Sequence, residues 1–498
     1  MSGFILAVDQ GTTGTTMLLI DEKGQITHKY YRSFPQSYPK PGWVEHDPEL
    51  IWDTVHSGLK EILGLPGLAP QMIKGIGLTN QRETIVVWER STGRPIFPAI
   101  VWQCRRTADL CSNLIAEGLS PLIRSKTGLV IDPYFSATKL QWIFNEVPGA
   151  KERALRGDLA CGTIDSWLVW KLTGGKEHLT DYSNASRTLL FNITDLKWDQ
   201  ELLKTFDIPN AILPEVRPSC GSFGETDPHL TEIPIPIGGI LGDQQAALFG
   251  QGCLTPGSMK NTYGTGCFLL MNSGEKPLIP ENGLLGTVAW GIGGKVSYAL
   301  EGSVFNAGAV IQWLRDELGI MEKAADSEEY AVKAGDNGGT YLVPAFTGLG
   351  APHWDPYARG TLVGLTRGTN KYQITRAALE GIAYQVREVV ECMAEATKVR
   401  PQMLRVDGGA AANNFLLQFQ ADICDLMIQR NECLELTGVG AGFIAGLGVG
   451  FWSSPRELEG LVKIGQSFEP KIPREERAKL WRGWRRAVER AKGWVEVE

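Results

Sequence analysis

At 498 residues, with 43% apolar and 21% charged side chains, the chain exceeds what one hydrophobic core holds and predicts two to four domains of ordinary globular balance. No apolar run is long enough to span a bilayer, which excludes stable membrane insertion. The net charge of −7 points away from nucleic acid, although a local basic pocket can still hold an anionic ligand.

Residues 4–8 read as a buried strand, DQGTTGTT at 9–16 as a tight turn, and 17–20 as the returning strand of a hairpin. Backbone N–H groups around Gly11 and Gly14 can approach an anion closely. The hydroxyls of Thr12, Thr13, Thr15 and Thr16 add donors, and Asp9 could face a phosphate-bound Mg²⁺. The spacing fits neither a Walker loop nor a dinucleotide fingerprint, and a plain glycine-rich hairpin is the alternative. Asp47-Pro48-Glu49 then opens a helix whose Ile51, Val55, Leu59 and Ile62 repeat on one core-facing side.

Residues 73–78 form a strand that delivers NQRET, 80–84, at its end, where ligand residues of open α/β sheets collect. Arg82 and Glu83 together can read neighbouring hydroxyls, since guanidinium donates and carboxylate accepts; a surface ion pair is the competing reading. Trp102 and Tyr134 are candidates for pocket walls, or for core. The glycine-rich run at 238–252 places Asp243 between an apolar strand and a helix start, where it serves either as a catalytic base or as a helix cap. A Pro-, Gly- and acid-rich stretch precedes it, and the domain boundary is placed just beyond it, giving domains 1–252 and 253–498.

A second glycine-threonine turn, NTYGTGCFLLM at 261–271, echoes the first, so two related halves with a nucleotide between them are expected. PAFTGLGAPHWDP at 344–356 reads as a structural loop. VDGGAAANNFLLQFQAD at 406–422 reads as strand, Gly-Gly turn and amphipathic helix; Gly408 and Gly409 let the backbone approach a flat ligand, and Asn413 can bond an adenine or its ribose. A terminal helix, apolar along Leu480, Trp484, Ala487, Val488 and Ala491, docks onto the fold.

Nine scattered cysteines without a CxxC pair exclude a disulfide framework, and six histidines without ligand spacing exclude a protein-held transition metal. Any metal is expected to arrive with a substrate. MSGFILAVDQ lacks a basic leader, so the cytoplasm is the expected location.

Together these motifs resemble the FGGY carbohydrate kinases, which share the actin, Hsp70 and hexokinase fold. YFSATKLQWIFNE at 134–146 and GTLVGLTRGTNKYQITRAALEG at 360–381 are similar to that family's two signature segments. TNQRET, AIVWQCRRTA, DYSNASRTLLFNI, GDQQAALFGQ, NTYGTGCF, PAFTGLGAP and RVDGGAAANNFLLQFQ are similar to its glycerol-phosphorylating branch. The resemblance implies an α/β fold of two ribonuclease H-like domains flanking an ATP and substrate cleft. It implies transfer of phosphate from MgATP to glycerol, giving glycerol 3-phosphate and ADP as the first step of glycerol catabolism, by a homodimer or homotetramer.

By the same resemblance, Arg82, Glu83, Tyr134 and Asp243 match glycerol ligands, with Gln244 beside them and Trp102 and Phe268 against the carbon chain. Asp243 matches the base. Thr12, Thr13, Gly14, Thr16, Thr265, Gly266, Gly308, Gln312, Gly409 and Asn413 fall at nucleotide positions, and Asp9 and Asp243 near Mg²⁺. Where the family usually has DQGTTSSR, this chain has Gly14 for the first serine and Thr16 for an arginine. LELTGVGAG at 434–442 also departs from the family's ETTALGAA, with an expected change of packing beside the adenine loop. The segment 229–236 lacks the loop of members inhibited by fructose 1,6-bisphosphate, so that regulation is not expected. A kinase for another polyol or ketose, and a non-catalytic ATP-driven interaction protein of the actin or Hsp70 type, are the competing readings.

Overall fold

The computed structural model describes residues 3–496. Two sheets organise it. The first has five strands: β1 (Phe4–Gln10), β2 (Gly14–Asp21), β3 (Ile26–Ser33), β4 (Ile73–Asn80) and β5 (Ile237–Gly242), in the order β5-β4-β1-β2-β3. The second has seven: β6 (Met259–Tyr263), β7 (Cys267–Gly274), β8 (Leu285–Ile292), β9 (Lys295–Val304), β10 (Met403–Asp407), β11 (Met427–Asn431) and β12 (Ile464–Phe468), in the order β8-β9-β7-β6-β10-β11-β12.

The repeat that is faint in sequence is plain in topology. β1 pairs antiparallel with β2 and parallel with β4, and β6 pairs antiparallel with β7 and parallel with β10. In each half the outer neighbours continue the pattern, with β3 and β9 antiparallel and β5 and β11 parallel. Each threonine-glycine turn is therefore the bend of the central hairpin of its own sheet.

β1 is apolar from Phe4 to Val8 because both faces of its sheet are covered there. Helix α1 (Pro48–Leu63) starts where expected: the Asp47 side chain accepts from the Glu49 N–H and Pro48 takes the first turn. Its Ile51, Val55, Leu59 and Ile62 pack with Leu6, Val8, Met17 and Leu19. Side chains alternate along a strand, so Ile5, Ala7, Leu18 and Ile20 face the other way. Thr15 shares the α1 face and bonds the Thr54 hydroxyl at 2.7 Å, which removes it from the expected set of phosphate donors.

Helix α2 (Ser136–Glu146) follows Tyr134, and α3 (Asp243–Gly250) continues β5. In the second half, α4 (Gly308–Asp316), the long α5 (Lys371–Thr397) and α6 (Asn414–Cys424) surround the sheet. Helix α7 (Leu436–Gly448) carries the LELTGVGAG departure, but it lies away from the adenine loop: Val439, Phe443, Ile444 and Ala445 cover the first sheet together with Leu248 and Phe249 of α3. The terminal helix α8 (Arg474–Ala491) docks through Trp484, Ala487, Val488 and Ala491.

Helices α3 and α7 meet backbone to backbone. A Cβ on Gly440 would lie 1.9 Å from the Ala246 carbonyl oxygen, and one on Gly250 would lie 2.1 Å from that of Leu436. Neither helix has a flexible side chain there to move aside. Gly440→Ala is expected to destabilise by about 3 kcal/mol, the upper end for overpacking, because a rigid backbone must shift. A thermal unfolding midpoint equal to wild type would show that the two helices can part without loss.

Candidate active site

Asp243 is the first residue of α3, with Gly242 as the cap, and its Oδ1 accepts the Gln244 N–H at 2.7 Å and the Arg82 Nε at 3.1 Å. The side chain is 29% exposed, so the carboxylate is both anchored and open to a ligand. Gly242 is required beside it: a Cβ there would sit 2.7 Å from Arg82 Cδ. The Gly242 N–H is held by the Ser183 hydroxyl at 2.9 Å.

Arg82 and Glu83 are 2% and 1% exposed, which disposes of the surface ion-pair alternative. They are also not each other's main partners. Their closest charged atoms lie 3.9 Å apart, whereas Arg187 Nε reaches Glu83 Oε1 at 2.7 Å. Arg82 turns its Nη1 and Nη2 to Glu301, at 2.5 and 3.2 Å, and Arg187 Nη2 bonds the same carboxylate at 2.8 Å. Burial pushes the Glu301 carboxyl up, but the Arg187 and Arg82 charges outweigh it and hold it at about 2.

Glu83 has φ 59°, a left-handed backbone that costs a non-glycine residue on the order of 1 kcal/mol and persists where tertiary contacts impose it. Here its carbonyl receives the Ser136 hydroxyl at 2.9 Å and Lys139 Nζ at 3.3 Å, both from the first turn of α2. Lys139 Nζ also bonds the Tyr134 carbonyl at 2.5 Å, and burial lowers its ammonium to about 8. One buried lysine thus fixes two of the expected ligand residues.

Trp102 stands edge-on to Tyr134 and Phe268, with ring centroids 5.6 and 6.3 Å away, and its Nε1 donates to Thr12 Oγ1 at 3.0 Å. These aromatics line a cavity of about 690 Å³ that continues to Phe305, Leu349, Trp354 and Pro356. The loop at 344–356, which reads from sequence as structural, also forms part of this wall.

Gln244 accepts from Lys260 Nζ, which also bonds Thr262 Oγ1 at 3.0 Å. Burial lowers Lys260 to about 8, against the pull of Asp407 and Asp243. Asp9 faces the gap between the halves, on the same side of its sheet as the half-buried Thr16 with which it pairs. Its carboxyl is pushed up to about 8 by burial and then by Asp243 and Glu435, with Lys29 opposing. Among the described residues no three ligand side chains are grouped to hold a metal by themselves, so the carboxylates here suit a hard divalent cation only as one that arrives with other oxygen donors. Thr13 is exposed at the hairpin tip, and a Cβ on Gly14 would lie 2.8 Å from the Arg32 carbonyl.

A second cavity, of about 400 Å³, is lined by Thr265, Gly308, Ile311, Gln312, Gly409, Asn413 and Leu416. Gly266 stands outside that lining, packed so that a Cβ would meet the Val304 carbonyl at 2.3 Å. Gly408 has φ 88° and a Cβ there would strike the Tyr263 carbonyl at 2.3 Å, so the Gly-Gly turn is dictated by close backbone approach. Asn413 lines the cavity, but its Oδ1 caps α6 through the Leu416 N–H and its Nδ2 donates to Ser327.

Arg187, Glu301 and Lys260 were missed as site residues by sequence reasoning. A signal existed for two of them: Lys260 is the one charge of its strand, and Glu301 is the one charge in the stretch of its strand beyond the exposed Lys295, where a charge must find a partner. Arg187 lies in an irregular segment and carries no periodic mark.

Residues 4–250 match the N-terminal domain of the FGGY family of carbohydrate kinases and residues 259–449 its C-terminal domain. A glycerol kinase of Carboxydothermus hydrogenoformans is 58% identical over 99% of each chain, and glycerol kinase 2 of Thermotoga maritima is 53% identical over 99% of each. Among solved structures, a Plasmodium falciparum glycerol kinase with ADP superposes with a TM-score of 0.94 at 36% identity, covering 100% of this chain and 99% of that one. With both family domains matched in order along the buried charge cluster and the two cavities, the chain belongs to the FGGY family of carbohydrate kinases.

Proposed function

We propose that the protein transfers the terminal phosphate of ATP to glycerol, giving glycerol 3-phosphate and ADP. The observation that carries this reading is the half-open Asp243 carboxylate beside buried Arg82, next to the Trp102–Tyr134–Phe268 wall. Full-length identity with glycerol kinases supports it. The proposed division into domains 1–252 and 253–498 puts Arg82, Glu83, Trp102, Tyr134, Asp243 and the first phosphate hairpin in one half, and the second hairpin, the adenine cavity and Phe268 of the polyol wall in the other.

In this reading Arg82 donates to glycerol oxygens, Tyr134 supplies a hydroxyl, and Glu83 accepts with the oxygen that Arg187 leaves free. Trp102 and Phe268 pack the carbon chain, and Gln244, held by Lys260, borders the reacting hydroxyl. Asp243 takes the proton of that hydroxyl as its oxygen bonds to phosphorus. Phosphoryl transfer depends on in-line positioning and charge neutralisation more than on a strong base, so an ordinary carboxylate suffices. Thr12, Thr13, Gly14, Thr16, Thr265 and Gly266 border the phosphates, while Gly308, Gln312, Gly409 and Asn413 surround the nucleoside. Mg²⁺ arriving with ATP, near Asp9 and Asp243, would neutralise phosphate charge. Assembly as a homodimer or homotetramer in the cytoplasm belongs to the same reading.

A second reading, a larger polyol or ketose, has one observation in its favour: a cavity of about 690 Å³ is roomy for glycerol alone. ADP release measured across glycerol, dihydroxyacetone, erythritol, xylulose and gluconate separates the two, with glycerol expected to give the highest kcat/KM.

Asp243→Asn is expected to abolish phosphorylation, by about 10²-fold or more for loss of a general base, while glycerol and ATP still bind. Wild-type turnover in that variant would remove Asp243 from the base role. Thr16→Arg is expected to lower the KM for ATP about tenfold, the value of one charge-assisted bond of about 1.5 kcal/mol, because Lys29 on the neighbouring strand is already paired with Glu435. Steady-state kinetics at saturating glycerol and several fixed Mg²⁺ concentrations test this; an unchanged KM for ATP places Thr16 away from the phosphates.

A further inference from the structure

Glu301 lies on β9 of the second sheet, is wholly buried, and reaches the polyol side of the cleft from the opposite half. Its Oε2 takes Arg82 Nη1, and its Oε1 takes both Arg82 Nη2 and Arg187 Nη2. The carboxylate therefore stands between two guanidinium groups that repel each other, and it occupies the far end of Arg82. What remains of Arg82 is the edge that meets Asp243 Oδ1 through Nε at 3.1 Å and the Tyr134 hydroxyl through Nη2 at 3.4 Å.

We propose that Glu301 is a positioning residue of the polyol site: clamped across Arg82 and Arg187 from the opposite half of the molecule, it fixes which edge of Arg82 is presented to substrate hydroxyls. The inference rests on the assignment of Arg82 to the polyol site. The charge count makes the clamp specific. Arg82 and Arg187 are matched by Glu83 and Glu301, all four buried, so the half-open Asp243 meets this set only at the Arg82 Nε edge, through Oδ1, and keeps its second oxygen for a substrate proton. With Glu301 neutral, the buried set carries one excess positive charge, and the nearest carboxylate to answer it is Asp243. Arg82, already bonded to Asp243 Oδ1 through Nε at 3.1 Å, would then be drawn further onto that carboxylate, moving its Nη2 off the Tyr134 side and holding the base more tightly. The ATP cavity, lined by residues of the second half only, has no part in this exchange.

Steady-state kinetics with each substrate varied test the proposal. Glu301→Gln, which keeps shape and removes charge, is expected to raise the KM for glycerol about tenfold or more and to lower kcat, with the KM for ATP within about twofold of wild type. Glu301→Asp, which keeps the charge but withdraws it by one methylene, is expected to show the same glycerol-selective defect more weakly. A residue needed only for folding would lower the melting temperature and the fraction of active enzyme but leave the KM for glycerol in place. A soluble Gln variant with the wild-type KM for glycerol overturns the proposal, as does failure of both variants to fold. Wild-type protein without glycerol-dependent ADP release would instead remove the functional reading on which the proposal rests.

Discussion

A charge taken out of water has to be answered where it lies, and the junction of the two halves holds four such charges within one cluster. Arg82, Arg187, Glu83 and Glu301 bond one another, with Arg187 Nη1 left without a partner among the described residues. The neighbouring features follow from that demand. Gly242 has no side chain so that Arg82 can lie across it, Glu83 accepts a left-handed backbone so that its carboxylate meets Arg187, and Lys139 pins the loop that would otherwise relax. The result is a rigid polar surface in a place where a flexible one would have to be reorganised during reaction.

The duplicated topology supplies the setting. Two sheets of the same winding each present a central hairpin bend, and both bends are built from small residues and hydroxyls. Both halves contribute aromatics and charges to the polyol side, and the second alone adds an apolar cavity bounded by a Gly-Gly turn. The contact of α3 with α7 through glycine keeps the helices between the sheets close enough that neither half can be repacked independently.

Much of this was legible in the residues. The β1–β2 hairpin, α1 with its cap, and the strand-to-helix step at Asp243 follow from local pattern and turn chemistry, because their determinants are neighbours in sequence. The family resemblance carried the expectation that Arg82, Tyr134, Trp102 and Phe268 share a site, and the structure brings them together. What stayed hidden is non-local. That Thr15 faces α1, that Glu83 pairs with Arg187 and not with its neighbour, that α7 crosses to the first sheet, and that Glu301 enters from the far half all depend on register and crossing between distant segments. No periodicity within a single strand reports them.

The span of that charge cluster bears on how the chain is made. Arg82 and Glu301 are 219 residues apart, and Arg187 and Glu301 are 114 apart. At ribosomal rates of about 5–20 residues per second, Arg82 emerges roughly 10 to 45 s before its counter-ion exists. For the last 114 residues of that span, roughly 6 to 23 s, the first half carries both arginines with Glu83 as the one carboxylate of the buried set. Charge balance within the buried set of the first half is therefore complete only once the β9 strand has been made.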